Sequence, residues 1–283
     1  MSTIRQITVL GSGTMGHGIA YAGILAGFET RLYDISDAQL QKARAQIEGI
    51  VRTAVELGKL AASDADRLMR RLTTTSDLAE ALTDTGFVIE AAPERIDLKL
   101  QLFAEIERFA PASAVIGSNT SALSITEMAG SLKNPSRVGG MHFFNPVQKM
   151  KLIEIVRALE SSAATLEAIE AVSRAMGKET VLVRESPGFI TSRVNVTIGN
   201  EAFYMLLEGV ASARDIDKAL KLGLNHPMGP FELVDLVGLD TRLSILEYLH
   251  KSLGEKYRPC PLLAQYVKAG RLGKKVGKGV YEY

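Results

Sequence analysis

The feature that most constrains this chain is a glycine-rich loop, Gly11-Ser12-Gly13-Thr14-Met15-Gly16, which lies between an apolar run and an amphipathic stretch. The run before it, Ile7–Leu10, is typical of a buried strand, and the stretch after it has helical spacing. In such a unit the first glycine permits a tight turn, the second admits a ligand close to the backbone, and the third lets helix and strand pack closely. The loop therefore predicts an α/β fold with a parallel sheet.

The same alternation of strand-like and helix-like segments continues to about Arg184. The strand-like runs are Ile4–Leu10, Thr30–Tyr33, Phe87–Glu90, Ala114–Gly117, Arg137–His142, Leu152–Val156 and Thr180–Val183. The helix-like stretches include Met15–Ala26, Asp37–Leu57, Ala65–Leu72 and Leu98–Phe109. This order predicts a Rossmann-type N-terminal domain over residues 1–185. The long second helix and the third predict a hairpin that projects from the sheet as a ligand flap.

Strand-like runs end at the breaker Ser186-Pro187-Gly188-Phe189. The segments beyond it have helical spacing: Ile190–Leu207, Ala213–Leu222, Pro230–Val237 and Asp240–Leu253. They predict an all-α C-terminal domain over residues 186–283. Because so small a helical domain exposes apolar faces unless a partner covers them, we expect it to form a homodimer and to complete the substrate site.

Composition excludes several classes of partner. The 33 Lys and Arg against 32 Asp and Glu leave a formal charge of +1, so neither nucleic acid nor an anionic membrane surface is expected. No apolar run approaches the ~20 residues of a membrane span. The single cysteine, Cys260, excludes an internal disulfide, and no metal site is expected. Since Met1–Arg5 leads directly into the first strand, we expect no secretory segment and a cytoplasmic protein.

Asp34 lies at the end of the second predicted strand, 18 residues beyond Gly16. There a carboxylate accepts hydrogen bonds from the ribose of a dinucleotide, while the helix N-terminus attracts its pyrophosphate. A 2′-phosphate ~4 Å from Asp34 would be repelled by roughly 1–4 kcal/mol per unit charge, so NAD is predicted over NADP, although Arg31 would soften this preference. The predicted cofactor loop comprises Gly11, Gly13, Thr14, Met15 and Gly16. The alternative is a turn that binds nothing, with Asp34 capping the next helix.

His142 is the candidate catalytic histidine, because it ends a predicted strand, at the sheet edge where α/β proteins bind ligands. The other histidines occupy positions typical of structural residues: His17, His226 and His250. Glu154 follows twelve residues later in a run that can pair antiparallel with the first. A histidine held by a carboxylate can remove an alcohol proton as hydride leaves carbon. The alternative for Glu154 is a solvent-facing strand residue.

The turn Ser118-Asn119-Thr120-Ser121 follows another predicted strand. Its hydroxyl and amide groups are suited to holding a substrate oxygen. The same groups are equally suited to capping a helix predicted at Ser124–Ala129. From the residues alone, both interpretations stay open.

Several longer segments carry a resemblance to a known family. They are Asn119–Leu123, Met141–Val147, Met150–Glu154, Pro187–Ile190, His226–Leu233 and the tail Gly277–Tyr281. In this order the chain resembles the L-3-hydroxyacyl-CoA dehydrogenase family, which includes bacterial 3-hydroxybutyryl-CoA dehydrogenases. The resemblance implies NAD-dependent oxidation of a short-chain (S)-3-hydroxyacyl-CoA to the 3-ketoacyl-CoA, and the reverse, in fatty acid metabolism.

The resemblance also implies roles for individual residues. His142 would be the general base, Glu154 its partner, and Ser121 a hydrogen-bonding group for the substrate oxygen. The implied NAD contacts are Glu94, Lys99, Asn119, Ser121, Asn145 and Lys275. A CoA contact is implied for a lysine of the projecting hairpin, and Lys59 matches it best.

One position departs from the family. After Pro187–Ile190 the family reads x-Asn-Arg, with that asparagine in the active site, whereas Thr191-Ser192-Arg193 places a serine there. Ser192 is therefore the fourth candidate catalytic residue. The alternative is an ordinary helix residue whose hydroxyl bonds its own backbone.

Two competing functions are a dehydrogenase of a free hydroxy acid, of gulonate or carnitine type, and a non-catalytic NAD-binding protein of crystallin type. The His142-Phe143-Phe144-Asn145-Pro146 run and the long hairpin favour the CoA enzymes over the first. The joint presence of His142, Glu154 and Ser121 opposes the second.

Overall fold

The structure, a computed structural model, describes residues 4–283. The chain divides into two compact units, Met1–Glu185 and Ser186–Tyr283. Residues 1–3, which begin the stretch considered for a secretory segment, lie outside the described residues. Among the helices of residues 4–283, none has the length and apolar character needed to cross a membrane.

The first unit is built on one eight-stranded sheet. Its strands are β1 (Gln6–Leu10), β2 (Glu29–Tyr33), β3 (Leu72–Thr75), β4 (Phe87–Glu90), β5 (Val115–Ser118), β6 (Val138–Phe143), β7 (Leu152–Arg157) and β8 (Glu179–Arg184). Their order is β3-β2-β1-β4-β5-β6-β7-β8, and every pair is parallel except β6 with β7. The predicted α/β Rossmann-type class is confirmed.

Helices connect these strands and form the second unit. In the first unit they are α1 (Gly16–Leu25), α2 (Asp37–Glu56), α3 (Ala62–Met69), α4 (Leu78–Leu82), α5 (Ile96–Phe109), α6 (Ile125–Ala129) and α7 (Ala163–Ala175). In the second they are α8 (Thr191–Leu207), α9 (Ala213–Gly223), α10 (Pro230–Val237), α11 (Leu239–Leu253) and α12 (Pro261–Lys268). The predicted helical C-terminal region is confirmed.

The sheet places the ends of neighbouring strands side by side. Leu10 pairs in register with Glu90, Glu90 with Ser118, and Ser118 with Gly140. Strand order reverses between β1 and β4, which creates the crevice where such sheets bind ligands. The carboxyl ends of β1, β4, β5 and β6 therefore border one candidate site.

One strand was missed, and one helix boundary was wrong. The predicted helix Ala65–Leu72 ends at Met69, and Leu72 begins β3. The rest of this strand is Thr73–Thr75, and only Leu72 is buried because β3 lies at the edge of the sheet. An edge strand with one buried side chain leaves no apolar run for sequence reasoning to detect.

The hairpin of α2 and α3 is anchored in the core. Helix α2 buries Leu40, Ala43, Ile47 and Val51, which recur at three- and four-residue steps and join the main apolar cluster. Beyond Val51 no residue of α2 is buried. Only the tip of the hairpin therefore extends away from the core.

The second unit packs around Phe203 of α8. Its ring meets Phe231 edge-on at 5.2 Å and Tyr266 at 5.8 Å between centroids. Buried Asp235 of α10 holds the C-terminal tail, because its carboxylate accepts hydrogen bonds from the Val280 and Tyr281 amides at 2.8 and 2.9 Å. The tail is thus a fixed part of this unit.

Candidate active site

The glycine loop adopts a conformation that only glycine allows at two positions. Gly11 has φ +99°, and a Cβ on Gly16 would lie 1.7 Å from the Gly11 carbonyl oxygen. A Cβ on Gly13 would meet nothing within 4 Å. The N-terminus of α1 has no side-chain cap, whereas Ser36 caps α2 and Asp77 caps α4. Open space beside uncapped amides is the arrangement that receives a pyrophosphate.

Asp34 ties the end of β2 to the glycine loop. Its Oδ2 accepts hydrogen bonds from the Ser12 amide at 2.9 Å and the Ser12 hydroxyl at 2.8 Å. Ser36, and not Asp34, caps α2 by accepting from the Gln39 amide, so the capping alternative for Asp34 is wrong. Sequence reasoning missed Ser12, because the second position of the glycine motif is chemically unrestricted.

His142 and Glu154 form a buried hydrogen-bonded pair. They are direct partners in the antiparallel ladder of β6 and β7, and His142 Nδ1 lies 2.7 Å from Glu154 Oε2. The predicted antiparallel pairing is confirmed. The surface-strand alternative for Glu154 is wrong, because the residue is 0% exposed. Since an ionised carboxylate only accepts hydrogen bonds, Nδ1 carries the proton of the neutral ring and Nε2 is its basic nitrogen.

The turn that joins β6 to β7 contains Asn145 and is fixed at several points. The Lys178 ammonium donates to the carbonyl oxygens of Val147 and Met150, the latter at 2.8 Å. Burial lowers the pKa of Lys178. The Val147 side chain packs on α1 at Gly18, where a Cβ would lie 2.9 Å from Val147 Cβ. The turn therefore has a defined position next to the glycine-loop helix.

The turn after β5 faces two neighbours. Asn119 Oδ1 accepts from the Phe143 amide at 2.8 Å, which ties this turn to the end of β6. Ser118 is buried and donates to Glu90 at 2.6 Å, so its hydroxyl points into the sheet rather than towards a substrate. Helix α6 is capped by Ser124. The alternative in which residues 118–121 cap that helix is therefore wrong.

Glu94 organises the backbone on which Ser121 lies. Its Oε1 accepts from the Thr120 hydroxyl at 2.5 Å and from the Ser121 amide at 2.8 Å. Lys99, which the resemblance assigns to the cofactor, is 1% exposed, and its ammonium is 3.6 Å from Glu94 Oε2. Glu94 therefore links the buried ammonium of Lys99 to the Ser121 turn.

Lys59 lies on the exposed tip between α2 and α3. It borders a cavity of about 560 Å³ together with Arg52, Lys149, Tyr21 and His17. Three of these side chains are cationic. The cavity is therefore suited to an extended anionic ligand.

The remaining candidates belong to the second unit. Ser192 is the second residue of α8. Lys275 lies in the tail, and its ammonium contacts the Asp240 carboxylate at 2.6 Å.

Comparison with known proteins decides the family. Residues 6–186 match the family model described as 3-hydroxyacyl-CoA dehydrogenase, NAD binding domain, and residues 188–283 match the C-terminal domain of the same family. The chain belongs to the 3-hydroxyacyl-CoA dehydrogenase family. Its first domain is an NAD-binding domain, which agrees with the predicted cofactor.

Relatives of known name cover the whole chain. The probable 3-hydroxybutyryl-CoA dehydrogenase of Bacillus subtilis is 44% identical over 99% of this chain and 98% of its own length. The 3-hydroxybutyryl-CoA dehydrogenase of Bradyrhizobium diazoefficiens is 40% identical over 100% of this chain and 96% of its own. The crystal structure of (S)-3-hydroxybutyryl-CoA dehydrogenase from Ralstonia eutropha superposes with a TM-score of 0.95 at 41% identity and covers 99% of both chains.

Proposed function

We propose that this chain oxidises the 3-hydroxyl of a short-chain (S)-3-hydroxyacyl-CoA with NAD and reduces the 3-ketoacyl-CoA in the reverse direction. The observation that carries the proposal is the 2.7 Å contact between His142 Nδ1 and Glu154 Oε2 at the carboxyl end of β6. It supplies a base with a fixed tautomer at the ligand-binding edge of an NAD-binding domain. The names of the relatives support the acyl-CoA substrate.

His142 and Glu154 move the proton. In oxidation, His142 Nε2 takes the hydroxyl proton of the substrate, and the Glu154 carboxylate stabilises the imidazolium that forms. In reduction, the same imidazolium returns the proton to the substrate oxygen. We assign the Ser121 hydroxyl to a hydrogen bond with that oxygen. A bound NAD would supply the acceptor for the hydride of the substrate carbon.

The first unit offers matching groups for the dinucleotide. We assign the pyrophosphate to the uncapped amides of α1 and the space beside Gly13, and the adenosine ribose to Asp34. Glu94 and the two asparagines, Asn119 and Asn145, lie on the turns that border the same edge and are assigned to the remainder of NAD. Lys275 of the second unit is assigned to it as well.

The cationic cavity beside the hairpin tip is assigned to CoA. Lys59, Arg52 and Lys149 border it, and CoA carries phosphates that such side chains bind. Ser192 is assigned to the position where the family reads asparagine. Its hydroxyl keeps one donor and can reach a ligand oxygen through a water.

One assay separates this function from its competitors. Purified protein is mixed with NADH and either acetoacetyl-CoA, free acetoacetate or a gulonate-derived keto acid, and NADH oxidation is followed. Oxidation with acetoacetyl-CoA alone is the expected result. Preference for a free keto acid would favour the hydroxy-acid dehydrogenases, and no oxidation with any of the three, despite NADH binding, would favour the non-catalytic alternative.

Asp34→Ala is expected to weaken NADH binding and to improve the use of NADPH relative to NADH. The substitution removes the ribose acceptor together with the charge that repels a 2′-phosphate, and it also releases Ser12 of the glycine loop. Ser12→Ala serves as the control, because it loosens the same contact but keeps the charge. The kcat/KM ratio for the two cofactors tests this, and an unchanged ratio in Asp34→Ala contradicts the assignment.

We also propose that the protein is a cytoplasmic homodimer that acts in fatty acid metabolism, with the second unit as its dimerisation surface. Apolar side chains are exposed there: Ile190, Val194, Val210, Leu222, Leu224 and Val276. Light scattering of the full chain is expected to give twice the mass of one chain, whereas a chain that ends at Glu185 should aggregate. An active monomer of the full chain would contradict this assignment.

A further inference from the structure

Glu90, a buried carboxylate at the end of β4, takes no part in the chemistry proposed above. It is 0% exposed. Its Oε1 accepts from Lys99 Nζ at 2.6 Å and from the Ala92 amide at 2.7 Å, and its Oε2 accepts from the Ser118 hydroxyl at 2.6 Å. Both carboxylate oxygens therefore bind donors from the ligand-binding edge of the sheet.

The first line of contacts leads from Glu90 through Lys99 to Glu94. The Lys99 ammonium donates to Glu90 and to the Ala92 carbonyl oxygen at 3.1 Å, and it lies 3.6 Å from Glu94 Oε2. Glu94 in turn accepts from the Ser121 amide at 2.8 Å. The position of Lys99 therefore affects the position of the Glu94 carboxylate, which holds the Ser121 amide.

The second line of contacts leads from Glu90 through Ser118 into the same turn. The Ser118 hydroxyl donates to Glu90 and accepts from the Thr120 amide at 3.3 Å. Thr120 then donates to Glu94. Two separate series of contacts therefore connect Glu90 to Glu94, one through Lys99 and one through Ser118 and Thr120. Glu90 thus supports the turns after β4 and β5, which we assign to the cofactor and substrate.

The charges explain why this position carries an acid. Lys99 is 1% exposed and lies between two carboxylates, of which Glu90 is buried and Glu94 is 37% exposed. A buried ammonium is stable only with a charged partner close by. The closer contact, with Glu90, keeps the Lys99 ammonium 3.6 Å from Glu94. Glu94 can therefore accept hydrogen bonds from the amides of the turn after β5.

We propose that Glu90 is a positioning residue for the cofactor site, which acts through Lys99 and Ser118 on the orientation of Glu94 and Ser121. The proposal rests on the proposed function, because Glu94 and Ser121 are assigned to NAD and substrate there. Its test is a binding measurement that requires no acyl substrate.

Glu90→Gln keeps the shape of the side chain and removes its charge. The nearest carboxylate to Lys99 is then Glu94, and closer pairing between these two draws Glu94 away from the Ser121 amide. We expect the dissociation constant of NADH, measured by fluorescence titration, to rise about tenfold, and kcat with acetoacetyl-CoA to fall about tenfold. The KM for acetoacetyl-CoA should change by less than about twofold, because the cationic cavity is untouched.

Glu107→Gln is the matched control. Glu107 forms an equally short contact of 2.6 Å with Arg137, which is 6% exposed. Arg137 directly precedes β6, so this pair lies at the amino end of that strand and not at the ligand-binding end. This variant should lower the melting temperature and leave NADH affinity unchanged. The double variant Glu90→Gln/Lys99→Met removes both buried charges. Because no ammonium then draws Glu94 away from the Ser121 amide, the double variant should recover NADH affinity at least in part, together with the melting temperature that Glu90→Gln loses.

These measurements distinguish positioning from simple stabilisation. If Glu90→Gln binds NADH like the wild type, if Glu107→Gln loses as much NADH affinity as Glu90→Gln, or if the double variant binds NADH no better than Glu90→Gln, the proposal is overturned. If the wild type binds NADH and fails to reduce acetoacetyl-CoA, the proposed function fails, and the NADH titrations still decide the role of Glu90.

Discussion

His142→Ala should lower turnover with acetoacetyl-CoA by about 100-fold or more and leave the binding of NADH alone almost unchanged. A positioned general base contributes roughly 10²–10⁴-fold to a proton transfer. The imidazole is 4% exposed and is held through Nδ1 by Glu154, so no solvent base is available in the same place. NADH affinity should persist, because the glycine loop and Asp34 belong to other strands of the sheet.

Two further variants make this result specific. His250→Ala removes a histidine that pairs with the exposed Glu255 in the second unit, and it should keep wild-type turnover. Glu154→Gln should also reduce turnover, because the imidazolium loses its anionic partner. Wild-type turnover in either His142→Ala or Glu154→Gln would remove this pair from the mechanism.

The sequence predicts well where local pattern and long-range contact agree. The β6 and β7 runs are apolar and close in sequence, so an antiparallel pairing that brings His142 and Glu154 together could be predicted, although spacing alone left a solvent-facing Glu154 as the alternative. The glycine loop is similarly local, since its turn and helix follow one strand directly. The antiparallel pairing and the strand, loop and helix of the glycine motif were therefore predicted correctly.

Contacts between distant segments were not predictable in the same way. Glu90 ends the strand Phe87–Glu90, where a polar residue is ordinary. An acid that directly follows three apolar strand residues was the one sign in the sequence that this carboxylate is buried. Its partners Lys99 and Ser118 lie 9 and 28 residues away, and only the folded sheet brings them together. The edge strand β3 was missed for a local reason, because its threonines are not buried and form no apolar pattern.

Gly16→Ala and Gly13→Ala should separate the two roles of the glycine loop. A Cβ at residue 16 would lie 1.7 Å from the Gly11 carbonyl oxygen and 2.7 Å from its carbon. Backbone atoms cannot relieve such a clash by rotating, as the end of a flexible side chain can. Gly11 also has φ +99°, a conformation that the loop must keep. We therefore expect Gly16→Ala to be destabilised by at least the ~1–3 kcal/mol of an overpacked site, and to lose measurable NADH binding because the loop must open.

Gly13→Ala should keep its stability and lose affinity. A Cβ at residue 13 would meet no atom of the protein within 4 Å, so the fold accepts it and the melting temperature should stay near that of the wild type. The same Cβ would occupy the space that we assign to the pyrophosphate, and the NADH dissociation constant should rise by about tenfold or more, as for the loss of ~1.4 kcal/mol of binding. Gly223→Ala, which also meets nothing within 4 Å and lies at the end of α9, controls for the added methyl group. Thermal melting and NADH titration of the three variants test both roles, because wild-type affinity in Gly13→Ala would mean that the cofactor backbone does not pass over this loop.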